Sequence, residues 1–100
     1  MSYDGSGAEV VSVGIAMKTW SPASIIIGGS TQTCTGIPGV KANDYVIVVP
    51  PTGMLLNLFI TQAARCTVDG QVSVQFGNVS LGGLLPPSGT WTFLYLRPTT

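Results

Sequence analysis

The sequence predicts an all-β chain, a single-domain β-sandwich or β-barrel. Three observations lead there. Val, Ile and Thr together supply 29 of the 100 residues, and branched side chains keep more of their freedom on a pleated strand than in a helix. Thirteen Gly and seven Pro fall mostly between the apolar runs, where turns need positive φ or a fixed one. Several runs alternate with a period of two, the period of a strand with one buried face. One hundred residues suffice for one core, so residues 10–100 are expected to form one β domain.

Residues 1–9 are small, polar and Gly-rich. Their apolar surface is too small to offset the entropy of ordering them, and they read as a flexible N-terminal arm able to add a strand to an exposed sheet edge. In residues 10–17 the odd positions Val11, Val13, Ile15 and Met17 are apolar, with Ser12, Gly14 and Ala16 between them. That pattern predicts a first strand, or a pairing arm, with its odd face buried. Trp20-Ser21-Pro22 interrupts it, and residues 24–27 read as a short apolar strand closed by Gly28-Gly29. Thr31, Thr33 and Thr35 then place hydroxyls along one face of a strand, facing water or a partner.

Residues 36–39 and Ala42-Asn43-Asp44 are turn chemistry, since Asn and Asp bond to nearby backbone and tolerate the left-handed region. Tyr45-Val46-Ile47-Val48-Val49 is apolar on both faces and ends at Pro50-Pro51, which cannot donate to a ladder. It predicts a central strand covered on both sides. By period alone residues 54–60 fit a helical turn, but their short length and flanking prolines favour a strand or a loop leading into one. Asp69-Gly70 between strand-like runs 62–68 and 71–77 signals a hairpin with a primed turn. In its second arm Val72, Val74 and Phe76 point inward, with Ser73 and Gln75 outward. After a loop over 78–89, the last strand carries Trp91, Phe93 and Tyr95 on one face and Leu94 and Leu96 on the other.

Charge is scarce: four basic and four acidic residues, no histidine, net zero. Domains average about 25% charged residues, and a neutral surface this poor in charge favours association. Lys18, Lys41, Arg65 and Arg97 are scattered, unlike the clustered basic footprint that phosphate binding requires, so no nucleic-acid partner is expected. No run reaches the roughly 18 to 20 apolar residues of a membrane-spanning helix, and no membrane partner is expected. The first residues lack the basic and apolar regions of a secretory signal, which predicts a protein made and kept in a cytoplasm. There Cys34 and Cys66 are expected to stay reduced as small buried hydrophobes.

Without histidine there is no Ser-His or Cys-His nucleophile. Of the carboxylates, Asp44 and Asp69 are explained by local backbone bonding at turns, and no convergent acid/base pair, metal site or cofactor fingerprint is evident. The chain reads as a non-enzyme with no cofactor. Asn78-Val79-Ser80 matches a glycosylation triplet that chance explains equally well. Four residues are candidate interface positions: Trp20, Tyr45, Arg65 and Arg97. The two arginines fit bidentate anchors and solvated strand-edge positions alike. Trp20, outside a clean run, is more suspicious than Trp91, which reads as core. Trp20, Tyr45 and the threonine-lined strand would also suit a carbohydrate-binding receptor module.

From Lys18 to Pro98 the order of features is Thr19-Trp20-Ser21-Pro22, Gly28-Gly29, threonines 31 to 35, Gly36 to Gly39, Asp44, Ala63-Ala64, Val72 to Phe76, Asn78 and Ser88-Gly89-Thr90. This order resembles small β-rich accessory proteins encoded among phage virion genes. Pro50-Pro51 and the apolar 54–60 stretch depart from it, and no functional residue is carried over. The resemblance implies a virion component assembled in the host cytoplasm. Such a component is a capsid decoration (cement) protein or the base of a fibre or tail, and decoration proteins are commonly homotrimers. The implied partner is the major capsid protein or another virion protein.

Overall fold

A computed structural model describes residues 10–61 and 64–98, with the side chains of Val10, Val11, Ala64 and Arg65 outside the description. The expected arm, residues 1–9, lies outside the described residues. Seven strands follow in order: β1 (Val10–Trp20), β2 (Ser30–Cys34), β3 (Tyr45–Val49), β4 (Leu58–Thr61), β5 (Ala64–Arg65), β6 (Val72–Asn78) and β7 (Gly89–Pro98). No helix occurs among the described residues. The strands form two antiparallel sheets, ordered β1-β7-β3-β5 and β2-β6-β4, and the fold is an all-β sandwich.

The core lies between the sheets. Ala16, Val46, Val48, Trp91 and Phe93 come from the first sheet, and Cys34, Leu58, Val72, Val74 and Phe76 from the second. The alternation in β6 holds as expected, with Val72, Val74 and Phe76 buried while Ser73 and Gln75 are exposed. β2 likewise exposes Thr31 and Thr33 and buries Cys34. Both cysteines are buried free thiols. Residues 54–60 lead through a loop into β4, the second of the two forms their composition favours.

β1 corrects the expectation for its faces. Val13, Ile15 and Met17 point to the exterior, and Ala16 points to the core. The cause is its partner: Gly14 pairs with Tyr95 and Ala16 with Phe93, and directly paired residues share a face. Only small residues leave room for two inward aromatic rings. A Cβ at Gly14 would collide with the Tyr95 ring.

Two other expectations are corrected. Residues 24–27 contribute a single bridge, Ile25 to Leu84, because Gly28 and Gly29, at φ 90 and 118°, turn the chain into β2. A Cβ at Gly29 would strike the Phe76 carbonyl oxygen. The Asp69-Gly70 turn exists, closed by Gln71 N–H donating to the Val68 carbonyl at 3.1 Å, but it is not primed. Gly70 has φ 74° while Asp69 stays at negative φ, and unprimed turns splay the flanking strands. The arms therefore part. β5 joins β3, through Tyr45 to Arg65 and Val46 to Ala64, and β6 joins β2 and β4.

Candidate functional site

The outer face of the first sheet is built by register. β1 and β3 flank β7 on opposite sides, and the pairings align Val13, Leu96 and Tyr45 in one row. Ile15, Leu94 and Ile47 form the next, followed by Met17, Thr92 and Val49. Cross-strand neighbours about 5 Å apart touch along each row, so these nine side chains make one continuous surface. It contains no charged residue and a single tyrosine and threonine. On β1 and β3 its residues are between 42 and 65% exposed, from Val49 to Val13. The expectation that β3 is apolar on both faces holds, and within one chain only the Val46 and Val48 face is covered.

Of the four sequence candidates, Tyr45 stands at a corner of this surface. Arg65 pairs with it through the backbone, and its side chain is outside the description. Trp20 is elsewhere: it is half-buried, with its ring 5.0 Å from Trp91 and 6.3 Å from Phe76 in tilted and edge contacts, completing the core where β1 ends. The threonine face of β2 belongs to the second sheet, so Trp20, Tyr45 and the threonines do not converge.

Arg97 is held inside the chain. Its Nε donates to Asp44 Oδ1 at 3.0 Å, and Nη2 donates to Asp44 Oδ2 at 2.9 Å and to the Gly39 carbonyl at 2.8 Å. The guanidinium also lies 5.5 Å from the centre of the Tyr95 ring. Asp44 is 1% exposed and additionally accepts the Lys41 N–H at 2.9 Å. Local bonding at the turn thus explains only part of Asp44. The larger part is a bidentate pair to a residue 53 positions away, a separation at which no sequence spacing signals a partner. Asp69 is also non-local: it accepts the Ala42 N–H at 2.9 Å and approaches Lys41 Nζ at 3.9 Å.

The Arg97 hydrogen bonds hold the Asp44 carboxyl below its ordinary value near 3.8, against an opposing push from burial. A depressed folded-state value adds stability that is fully present above the unfolded value and is lost as pH falls through the folded one. The thermal midpoint is therefore expected to be level above about pH 5 and to fall progressively in more acid solution. In Asp44→Asn this component of the fall disappears, and the midpoint at neutral pH is lower. Equal acid sensitivity in variant and parent, followed by circular dichroism, would rule out Asp44 as its source.

Asn78 is committed to structure. It is 2% exposed, its Nδ2 donates to the carbonyls of Ile25 and Gly82 at 2.8 and 3.0 Å, and its Oδ1 accepts from the Ser80 N–H and hydroxyl. That burial explains the residue without glycosylation. Burial raises the Cys34 thiol above its ordinary value, with Lys18 opposing. Among the described residues no three His, Cys, Asp or Glu side chains group as metal ligands. No protein-family model, curated protein or solved structure matches the chain.

Proposed function

We propose that the chain is a non-enzymatic structural subunit of a phage virion, a decoration protein that self-associates as a homotrimer and stabilises the assembled head. The observation that carries this reading is the uncharged nine-residue surface that β1, β7 and β3 share on the outer face of the first sheet. Soluble monomers rarely expose apolar patches beyond a few hundred Å². Here Ile15, Leu94 and Ile47 run through the middle of a continuous uncharged surface. Three copies with these faces turned to a common axis would cover all nine side chains, none of them charged. The likeness of residues 18–98 to phage accessory proteins supplies the assembly, and the major capsid protein is the partner.

The mechanism needs no chemistry on a substrate. A trimer presents three equivalent contacts to a lattice, so individually weak contacts gain from effective concentration. A protein that binds assembled capsid subunits and not dispersed ones stabilises the shell by mass action. The test is co-sedimentation of the purified chain with empty heads stripped of it, followed by urea disruption of the heads. Saturable binding and a higher disruption midpoint are expected. Heads that neither bind the chain nor gain resistance would contradict the reading.

A further inference from the structure

Resting on the decoration reading, we infer that the end of the sandwich formed by residues 21–29, 50–57 and 79–88 is the shell-docking surface, and that its occupant is an uncharged apolar groove on the capsid protein. All three segments cross from one sheet to the other at the same end: β1 to β2, β3 to β4 and β6 to β7. They contain no Asp, Glu, Lys or Arg. Lys41, Asp44, Asp69 and Arg97 lie at the opposite end, tied to one another and to the backbone there. Among the described residues, one end of the sandwich thus gathers these four charges, while the three loops at the other carry none and Lys18 sits on β1 two residues before the strand ends.

The uncharged end projects aliphatic side chains into solvent. Leu56 and Leu81 are 98 and 97% exposed, and Ile26, Ile27, Val79 and Leu85 are at least 60% exposed. Such side chains on a slack loop would lose much of their binding energy to ordering, but these loops are fastened together. Ile25 and Leu84 exchange two backbone bonds, Gly28 N–H donates to the Asn78 carbonyl at 2.9 Å, and Val79 N–H donates to Asn57 at 3.0 Å. The buried Asn78 amide joins the first and third loops. The result is a preorganised set of apolar projections.

Charge selects the occupant. A lipid surface is met by Lys and Arg with Trp or Tyr at the interface, and the three segments contain none of these. A charged protein groove would lose solvation against this end with nothing to pair in return. An apolar, uncharged protein groove has neither cost. The sheet face, at the side of the sandwich, remains for other copies of the chain.

The test uses the full chain with Leu56→Asp and Leu81→Asp combined, at positions exposed enough to leave the fold unchanged. Binding to stripped empty heads is expected to weaken at least 100-fold, while oligomeric state and thermal midpoint stay as in the parent. Leu56→Met with Leu81→Met should bind like the parent. Head binding by the Asp variant within threefold of the parent overturns docking through this end and leaves the decoration reading standing. Dissociation of the oligomer in the Asp variant would assign the end to a second copy, and leucine-dependent partition of the parent into phosphatidylcholine vesicles would assign it to lipid; each overturns the proposal. A parent chain that does not bind heads overturns both readings together.

Discussion

Ile15→Glu is expected to convert the proposed homotrimer to monomers at micromolar concentration, with a dissociation constant raised at least 100-fold, about 2.7 kcal/mol. The side chain is 63% exposed in the single chain, so glutamate remains solvated in the monomer and the β1–β7 pairing is kept. In the proposed assembly the same carboxylate is covered together with its cross-strand neighbours Leu94 and Ile47, and burying an unpaired charge costs several kcal/mol. Ile47→Glu, in the same row, should act alike. Sedimentation velocity separates the outcomes, with circular dichroism confirming the fold. An Ile15→Glu chain that associates as tightly as the parent would remove this face from the interface.

The largest loss of fold stability is expected from Trp91→Ala. Trp91 is fully buried, its ring meets Trp20 at 5.0 Å and Phe76 at 6.0 Å in edge-on contacts, and its Nε1–H donates to the Pro87 carbonyl at 3.2 Å. It thus links both sheets and the loop before β7. Truncating a buried aromatic residue to alanine costs about 3–5 kcal/mol, against a total stability of about 5–15 kcal/mol for a native domain. Urea unfolding should show that loss, with Trp91→Phe retaining part of the stability. A cost below about 1 kcal/mol would mean that the cavity closes and that the sheets are not organised around this ring.

Strand identity was legible where a strand's own alternation decides which face is wet. Val72, Val74 and Phe76 against Ser73 and Gln75 needed no knowledge of neighbours, and the same holds for Trp91 and Phe93. β1 was legible as a strand but not in its facing. Its bulky apolar residues look outward because Tyr95 and Phe93, some 80 residues later in the chain, occupy the inner space over Gly14 and Ala16. The Asp69-Gly70 dipeptide announced a turn but not its hand, since both primed and unprimed turns accept Asp before Gly.

The candidate surfaces were legible in part. The two apolar faces of β3 made one apolar face in excess of a single core legible, and Tyr45, Ile47 and Val49 lie exposed on it. The rows across β1, β7 and β3 depend on a non-consecutive strand order that no local pattern contains. The Asp44–Arg97 pair and the gathering of three uncharged loops at one end arise in the same way, from topology. Each loop taken singly is ordinary Gly and Pro turn chemistry, and only together do they form a face.

The central claim is that this chain is a repeated, covered component of a virion. Quantitative mass spectrometry of purified particles against the major capsid protein tests it most directly. Hundreds of copies per particle, in a fixed ratio to the capsid lattice, are expected. A few copies would move the chain to a fibre or tail, and particles carrying none would contradict the claim.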